Sequence, residues 1–482
     1  MYQKTENMEE AIIGREQELK ALDKYYASGK AEFIAVYGRR RVGKTFLVRE
    51  HFHNHFAFDM TGVLEGNKNE QMTAFHMAMK TYGYRGPKNR TWLDAFQSLR
   101  ELLEGKLENG NRCVIFIDEL PCLDTPRAGF VHALGHFWNS WANWQPQLML
   151  IVCGSATSWM VRNIIDDHGG LHDRVTHEIA LHPFTLAECE EYFKANGFQW
   201  ERLSILQTYM ALGGIPYYLS LINRGESPAM AIDRLFFKEN GELQREYRRL
   251  FSSLFRNPSP YTDIVSLLAK HPKGLTRDEI AKALKIENNG KLSNMLLDLV
   301  YCDFIRKYNI RERKVKINNG LYQLIDFYTF FYNTFFSKTT MEEYYWTRHL
   351  GTSVVNTWHG LAYERVCKAH IPQIKRALGF ESVATEFYSW RSRTLAEGAQ
   401  IDIIIDRADN IINLCEVKYS EGEYTLDKDE FLKIRNRVEA FRKETGTRST
   451  ILPTLITTFG LKKGMYEDQI VAKLTMEDLF DN

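Results

Sequence analysis

Eight residues near the start of the chain, GRRRVGKT at positions 38–45, constrain the fold more than any other segment. The apolar run at 33–37 is typical of a buried strand, and residues 45–52 place apolar side chains at helical spacing. The two glycines permit a close approach of the backbone to an anion, at a helix N-terminus that already favours negative charge. The segment therefore predicts a phosphate-binding loop (P-loop) between a strand and a helix.

Within such a loop the residues have distinct expected roles. Lys44 would reach the β- and γ-phosphates of a nucleotide, and the Thr45 hydroxyl would bind Mg²⁺. The other residues would surround the phosphates with their backbone N–H groups: Gly38, Arg39, Arg40, Arg41, Val42 and Gly43. We therefore expect ATP and Mg²⁺ to bind here.

A second apolar run, residues 113–117, is typical of a central parallel strand and is followed by Asp118 and Glu119. Ligands of open α/β sheets bind at the carboxyl ends of the strands, where these two acids would lie. We expect Asp118 to hold Mg²⁺, directly or through water, and Glu119 to polarise the attacking water.

A third apolar run ends at Ser155, and Arg174 precedes the segment IALHPF at 179–184. Upstream of the P-loop, IIGREQEL at 12–19 leads into an amphipathic helix. Together with GGIPYYL at 213–219, these motifs resemble AAA+ and related STAND ATPases of the archaeal type, a group that also occurs in bacteria. The resemblance implies a helical lid, a γ-phosphate sensor at Ser155 and a transition-state cation at Arg174. A serine in a turn and an arginine on the surface are the alternative interpretations.

Composition places the chain among ordinary globular proteins of several domains. With 482 residues, the chain is longer than a domain with a single hydrophobic core usually is. Its content of 44% hydrophobic and 26% charged residues is typical of globular proteins. The net charge of +1 restricts any nucleic-acid surface to a local patch. We expect no signal peptide, no membrane-spanning segment and, from the scattered cysteines, buried free thiols in a cytoplasmic protein.

The middle of the chain predicts a winged helix-turn-helix. Helical patterns at 261–271, 276–284 and 291–300 precede two strand-like runs around a charged turn within 303–317. This segment has the best basic patch of the chain, which favours DNA as a partner, although a packing or oligomerisation role explains it nearly as well. The basic residues are Lys291, Arg306, Lys307, Arg311, Arg313, Lys314 and Lys316. The aromatic run 322–332 predicts a buried helix that joins two domains.

The C-terminal third contains a second group of candidate catalytic residues. The β-rich runs 400–406 and 411–419 predict a hairpin. If its turn has three residues, Asp402 faces Glu416, and Lys418 lies on the same face of the strands. Charged groups on otherwise apolar strands are costly to bury unless they pair with each other or bind a metal ion. A divalent cation would relieve the repulsion between Asp402 and Glu416 and could activate water for phosphodiester hydrolysis. Lys418 would orient the nucleophile or stabilise the developing charge.

Asp402 with the Glu416-Val417-Lys418 triplet resembles the PD-(D/E)xK nuclease superfamily. The segment GLAYE at 360–364 matches the extra acid of many members, which makes Glu364 a candidate metal or outer ligand. Gln400-Ile401-Asp402 departs from the usual Pro-Asp pair without removing a ligand. An inactive nuclease fold retained for binding is the alternative.

These observations predict an α/β protein of four domains. They are a P-loop ATPase core with a parallel sheet (1–184), a helical lid (185–258), a winged helix (259–335) and a restriction-endonuclease-like α/β domain (336–482). We expect an ATP-hydrolysing, nucleotide-regulated protein that acts on DNA through a nuclease-like site using Mg²⁺ or Mn²⁺, in defence or mobile-element handling. The alternative is an ATP-gated DNA-binding regulator or scaffold with an inactive nuclease fold. A homo-oligomer is compatible with either function.

Overall fold

The computed structural model describes residues 12–108, 110–166, 171, 173–308, 311–312, 315–316, 320–338, 342–392 and 400–481. The chain forms two compact units. The first, here called the P-loop unit, comprises Met1–Pro183 with Ser252–Arg256. The second, the C-terminal unit, comprises Phe184–Phe251 and Asn257–Asn482.

The P-loop unit is built on one parallel sheet of five strands in the order β2-β3-β4-β1-β5. Residues of β3 and β4 are buried along their whole length, as expected of central strands covered on both faces. The order brings the carboxyl ends of β1, β3 and β4 next to one another. The strands are β1 (Glu32–Tyr37), β2 (Phe58–Thr61), β3 (Cys113–Asp118), β4 (Leu148–Gly154) and β5 (His177–Ala180).

Among the described residues of this unit, six helices accompany the sheet. The aromatic side chains of Phe75, Trp92, Phe96 and Phe130 pack against one another in the core beside it. The helices are α1 (Glu16–Tyr26), α2 (Lys44–His51), α3 (Lys68–Thr81), α4 (Trp92–Leu107), α5 (Phe130–Ser140) and α6 (Thr157–Met160). Single helical turns occur at Leu120–Leu123, Ala142–Trp144 and Val161–Ile165.

The C-terminal unit begins with a helical region. Thr185 starts its first helix with a capping box to Glu188. Pro216 is the first residue of a helix that follows the two glycines at 213–214, so this segment connects two helices. The helices are α7 (Leu186–Ala195), α8 (Arg202–Leu212), α9 (Pro216–Ser220), α10 (Pro228–Ile232) and α11 (Glu246–Leu254), with a further turn at Asp233–Phe237.

Three helices and two small two-stranded sheets follow. The predicted capping box at Thr276 and Glu279 is present. Strand β6 pairs antiparallel with β9, and β7 pairs with β8. The elements are α12 (Ser259–Lys270), α13 (Arg277–Leu284), α14 (Gly290–Tyr301), β6 (Ile305–Tyr308), β7 (Arg311–Glu312), β8 (Val315–Lys316) and β9 (Leu321–Leu324). Arg313, Lys314 and the side chains of Arg311 and Lys316 lie outside the described part of the chain.

The prediction of one helix over 322–332 was wrong in its first part. Leu321–Leu324 is strand β9, and helix α15 spans Phe327–Thr334. The helix begins after Asp326 because the Asp326 carboxylate accepts a hydrogen bond from the backbone N–H of Thr329. Aromatic density alone did not separate strand from helix.

The last part of the chain forms a mixed sheet of five strands in the order β10-β11-β12-β13-β14. Strands β10, β11 and β12 are antiparallel neighbours, whereas β13 and β14 run parallel to β12. The strands are β10 (Thr385–Arg391), β11 (Gln400–Arg407), β12 (Ile411–Lys418), β13 (Thr450–Thr457) and β14 (Ala472–Leu474). The helices are α16 (Tyr345–His349), α17 (Ser353–Ala369), α18 (Ile371–Ala377) and α19 (Lys428–Thr445).

The register of the predicted hairpin is confirmed. Ile403 lies opposite Cys415, and Asp406 lies opposite Ile412. The next residues along the two strands are Asp402 and Glu416, which the three-residue turn predicts to face each other. All seven cysteines are free thiols, and all except Cys122 are buried. Within the described ranges, none of the helices has the length and apolar character needed to span a bilayer.

Candidate functional site

The backbone of the P-loop is wrapped into a concave loop by residues with positive φ angles. Gly38, Arg41 and Gly43 have φ of 142°, 72° and 92°. A Cβ atom on Gly38 would lie 2.2 Å from the carbonyl oxygen of Leu181, so no other residue fits at this position. A loop with such conformations can turn its backbone N–H groups towards a common centre, the arrangement that binds anions.

Lys44 lies across this loop and is buried. Its Nζ donates hydrogen bonds to the carbonyl oxygens of Gly38 and Arg39, both at 2.9 Å. The ammonium group is therefore held inside the loop at the first residue of α2, where phosphate oxygens would be its natural partners. Arg15, at the start of α1, donates from Nη2 to the carbonyl oxygen of Val42 at 3.3 Å. Sequence analysis did not assign this contact, although Arg15 belongs to the GREQEL motif.

Thr45 and Asp118 meet at the edge of the sheet. Thr45 Oγ1 donates to Asp118 Oδ2 at 2.8 Å. The other carboxylate oxygen, Oδ1, accepts a hydrogen bond from the Glu119 N–H at 3.0 Å, and Asp118 is 4% exposed. A hydroxyl and a carboxylate side by side are the hard oxygen donors that Mg²⁺ prefers, so this pair fits the ion.

Glu119 follows β3 in a left-handed conformation, with φ of 47°. Its Oε2 accepts a hydrogen bond from Ser155 Oγ at 2.9 Å, and the Ser155 N–H lies 3.4 Å from the same oxygen. Sequence analysis placed each residue at the end of a predicted strand but did not predict that the two strands are neighbours or that the residues pair. Since β3 and β4 are adjacent parallel strands, their position in the pattern could have indicated the pair.

Arg174 lies in a turn before β5, and its side chain is exposed. Its backbone N–H donates to the carbonyl oxygen of Leu171 at 3.0 Å. The structure thus places Arg174 on the same unit as the P-loop, and its suggested catalytic role stays a prediction.

A second group of polar side chains lies in the C-terminal unit, where the acidic residues of the β11–β12 hairpin contact basic side chains. Glu416 Oε1 lies 3.0 Å from Lys418 Nζ, and Oε2 accepts a hydrogen bond from Arg437 Nη1. Lys418 Nζ also lies 2.5 Å from Glu430 Oε1. Glu416 and Glu430 outweigh the effect of burial and raise the pKa of Lys418, so its amine stays protonated. Helix α19 supplies both Glu430 and Arg437.

Asp402 has a neutral and a charged neighbour. Gln400 Nε2 donates to Asp402 Oδ1 at 2.6 Å, and Lys368 Nζ lies 3.9 Å from the same oxygen. Lys368 is 4% exposed and forms an ion pair of 2.6 Å with Glu364 Oε1, one helical turn earlier on α17. Burial opposes the charge on Lys368, but Glu364 and Asp402 outweigh burial and raise its pKa. Burial raises the pKa of Glu364, and Lys368 offsets this only in part.

Lys368 Nζ also donates a hydrogen bond to Gln323 Oε1 at 3.1 Å. Sequence analysis missed four members of this group: Lys368, Gln323, Glu430 and Arg437. The i to i+4 spacing of Glu364 and Lys368 was an available signal. Gln323, Glu430 and Arg437 lie on elements distant in sequence, and no sequence signal indicated their contacts. Within the part of the chain that the structure describes, no three or more His, Cys, Asp or Glu side chains are grouped so as to hold a metal ion.

Comparison with known proteins bears on the P-loop unit most directly. Residues 12–222 match the family described as an ATPase domain predominantly from Archaea. The match supports the prediction that this protein is an ATPase. It includes the P-loop, Asp118, Glu119 and Ser155, and it ends within the helical region of the C-terminal unit.

Three of the similar proteins come from archaea. The uncharacterized protein MJECL04 of Methanocaldococcus jannaschii is 25% identical over 423 residues, which cover 85% of this chain and 88% of the relative. The uncharacterized ATP-binding protein MJ0423 of the same organism is 43% identical over 43 residues, 9% of this chain and 73% of the relative. Among solved structures, the Walker-type ATPase PABY2304 of Pyrococcus abyssi has a TM-score of 0.44 and 19% identity, covering 66% of this chain and 95% of that one.

Proposed function

We propose that the P-loop unit binds and hydrolyses ATP with Mg²⁺, and that Asp118 and Glu119 have separate roles in this reaction. The observation that carries the proposal is the hydrogen bond of 2.8 Å between Thr45 Oγ1 and Asp118 Oδ2. It joins the P-loop to the acidic end of β3, which are 73 residues apart in sequence. The ATPase family match and the ATP-binding relative support the same function.

The residues divide the work as follows. Lys44 and the backbone N–H groups of the P-loop hold the phosphates and stabilise the charge that develops on them. Thr45 and Asp118 would hold Mg²⁺, which would supply further positive charge to stabilise the transferred phosphoryl group. Glu119 orients the attacking water and accepts its proton, and Ser155 fixes the position of the Glu119 carboxylate. Arg174 is a candidate for a further cation near the γ-phosphate.

The Mg²⁺ assignment is tested by the metal dependence of ATP turnover. In Asp118→Asn, we expect maximal turnover to fall and the Mg²⁺ concentration for half-maximal turnover to rise at least tenfold. Asp166→Asn, which changes an exposed acid of the same unit, should behave as the wild type. Unchanged Mg²⁺ dependence in Asp118→Asn would contradict the assignment.

A second proposed function is metal-dependent cleavage of DNA by the C-terminal unit. It is supported by the antiparallel pairing of β11 with β12, which ends with Ile403 opposite Cys415, the residues next to Asp402 and Glu416. Lys418 follows two residues after Glu416. Carboxylate oxygens on adjacent strands are suitable ligands for Mg²⁺ or Mn²⁺. A divalent ion there would activate water for phosphodiester hydrolysis. Lys418 and Arg437 add positive charge where a phosphate would approach.

We further propose that residues 259–335 act as a winged helix that binds DNA, with 185–258 as lid and 336–482 as nuclease-like domain. Lys291 and Asn294 are exposed on α14, and Arg306 and Lys307 are exposed on β6. This places basic and polar side chains on two neighbouring elements, as phosphate contacts require. ATP binding would regulate cleavage, in defence or mobile-element handling.

The cleavage function is tested with purified full-length protein, Mg²⁺ or Mn²⁺ and linear or circular DNA, with and without ATP. We expect cleavage that is lost in Asp402→Asn and altered in rate by ATP. Retention of DNA binding without any cleavage would instead favour the alternative, an ATP-gated DNA-binding regulator or scaffold. Cleavage that persists in Asp402→Asn would place the active site elsewhere.

A further inference from the structure

The loop that follows β2 lies against the backbone that carries Glu119. Gly62 continues the pairing of β2 with β3, because its N–H donates to the carbonyl oxygen of Asp118 at 2.9 Å. A Cβ atom on Gly62 would lie 2.6 Å from the Glu119 carbonyl oxygen and 2.9 Å from the Cβ atom of Cys122. The absence of a side chain at Gly62 therefore lets the loop approach the acidic end of β3.

Glu119 depends on this support because its backbone is strained. With φ of 47° and ψ of 46° it adopts the left-handed conformation, which is unfavourable for a residue with a Cβ atom. Such a conformation persists only where the surroundings hold it. Here the Glu119 N–H donates to Asp118 Oδ1 at 3.0 Å, and the Glu119 carbonyl oxygen accepts from the Cys122 N–H at 2.9 Å. The same conformation directs the Glu119 carboxylate to Ser155 Oγ.

One buried amide holds the loop after β2 in place. Gln71, on helix α3, is 0% exposed. Its Oε1 accepts a hydrogen bond from the Val63 N–H at 2.9 Å, and its Nε2 donates to the carbonyl oxygens of Val63 at 2.6 Å and Gly66 at 3.2 Å. Val63 and Leu64 are themselves 38% and 57% exposed. The hydrogen bonds of Gln71 therefore supply the order that packing of these two side chains does not.

We propose that Gln71 is a positioning residue of the ATPase, which acts through the loop at 62–66 to keep the Glu119 carboxylate where it meets the attacking water. The inference rests on the proposed ATPase function and adds the element that fixes the position of its general base. The amide fixes the loop, the loop fixes the backbone at the end of β3, and this backbone determines where the carboxylate points. Loss of the amide lets the loop and the Glu119 backbone relax together, and the carboxylate leaves Ser155.

Parallel measurements of ATP binding and ATP hydrolysis by full-length protein in Mg²⁺ test this proposal. Gln71→Met keeps the length of the side chain and removes its hydrogen bonds to the loop. We expect maximal turnover to fall at least about tenfold, because the general base is misplaced, and ATP affinity to stay unchanged, because the P-loop is untouched. Ser98→Ala is the control, since it removes a buried hydroxyl of the same unit that is bonded to Tyr84 and Asn89, and it should change neither property.

A double substitution separates positioning from a general loss of structure. In Glu119→Gln the group that Gln71 positions is already lost, so the addition of Gln71→Met should lower the residual turnover no further. Thermal unfolding shows whether Gln71→Met folds. If it does not, Gln71→Asn decides, because its amide is one methylene too short for the contacts with Val63. We expect Gln71→Asn to lower maximal turnover at least about threefold with unchanged ATP affinity.

The outcomes distinguish this proposal from the function on which it rests. If Glu119→Gln hydrolyses ATP at the wild-type rate, the proposed ATPase mechanism fails and the inference falls with it. If Glu119→Gln is impaired but a folded Gln71→Met protein turns over ATP as fast as wild type, the inference alone is wrong. Losses that multiply in the double variant, or a parallel loss of ATP affinity in Gln71→Met, would assign Gln71 a purely structural role and also overturn the inference.

Discussion

The two acidic sites of this protein differ in what holds their carboxylates. In the P-loop unit, Asp118 and Glu119 accept hydrogen bonds from the hydroxyl groups of Thr45 and Ser155. In the C-terminal unit, the corresponding partners are charged: Glu416 contacts Lys418 and Arg437, and Glu364 contacts Lys368.

The difference indicates how each site would respond to a cation. A hydroxyl partner leaves the negative charge in place and can itself become a metal ligand, so the P-loop site suits Mg²⁺ brought in with ATP. An ammonium or guanidinium partner already neutralises the acid, and a metal ion must compete with it. We therefore expect the P-loop site to require its ion more strictly than the C-terminal site.

The largest effect is expected from Lys44→Ala. Because Lys44 would stabilise the charge on the transferred phosphoryl group, its loss should lower ATP turnover at least about a hundredfold. Phosphate release measures this effect, and Lys30→Ala, which changes an exposed lysine just before β1, is the matched control. Equal turnover in the two variants would remove the P-loop from the mechanism.

A comparably large effect is expected at the second site. Glu416→Gln leaves Lys418 and Arg437 without this carboxylate, so DNA cleavage should fall about a hundredfold while DNA binding is kept or strengthened. Gel-based cleavage and fluorescence anisotropy separate the two properties. Glu439→Gln, at an exposed position of the same helix α19, should affect neither. Parallel loss of binding and cleavage would indicate a structural role for Glu416.

Acid should destabilise the C-terminal unit through two buried histidines. Burial lowers the pKa of both His359 and His370 to about 4. As pH falls through their ordinary pKa of about 6.5, they take up protons when unfolded but not when folded, so stability is lost between pH 6.5 and 4. At pH 5 the loss is about 2 kcal/mol for each histidine.

The contribution of His370 can be isolated by substitution. Its Nε2 accepts a hydrogen bond from the Leu186 N–H at 3.1 Å, and its Nδ1 donates to the Val366 carbonyl oxygen at 2.8 Å. His370→Leu should cost about 1–3 kcal/mol in urea unfolding at pH 7, where these bonds are lost, and should lose less stability than wild type between pH 7 and 5. An identical pH dependence in the variant would contradict the assigned pKa.

A smaller effect is expected from Ser155→Ala. Loss of the Ser155 hydroxyl frees the Glu119 carboxylate, which should lower maximal ATP turnover roughly three- to tenfold, the equivalent of one ordinary hydrogen bond. ATP affinity should not change, because Glu119 would act on water. A fall in ATP affinity with normal maximal turnover would instead favour the sensor role of Ser155 towards the γ-phosphate.

The smallest effect is expected at the proposed DNA surface. The double substitution Lys291→Ala and Arg306→Ala should weaken DNA binding several-fold. It should also make the slope of log affinity against log salt concentration shallower, by about the amount expected for one lost phosphate contact per residue. Lys24→Ala with Lys80→Ala, which removes two exposed lysines of the P-loop unit, is the control. An unchanged salt dependence would favour a packing role for residues 259–335.

The sequence predicted what depends on local pattern. Gly38 and Gly43 mark backbone that only glycine adopts easily, and the three-residue turn after Arg407 predicted the register of β11 and β12 that the structure confirms. It did not predict which side chains from other elements reach these groups. Lys368 and Arg437 lie on helices, and their contacts with acids follow from tertiary packing that no short motif encodes.

The aromatic run after residue 320 shows the same limit in the fold. Its residues suit a buried helix and a buried strand equally well, since both environments favour aromatic side chains. The pairing of β9 with β6 and the Asp326 cap decide between them, and only the cap is a local signal.

The most direct test of the account compares wild type with Glu119→Gln for both ATP binding and ATP hydrolysis in Mg²⁺. Glu119 lies at the end of β3, is held by a hydroxyl group and is assigned to the attacking water. We predict that Glu119→Gln binds ATP as tightly as wild type and hydrolyses it at least about a hundredfold more slowly. Hydrolysis at the wild-type rate would contradict the central claim that the P-loop unit is an ATPase in which Glu119 activates water.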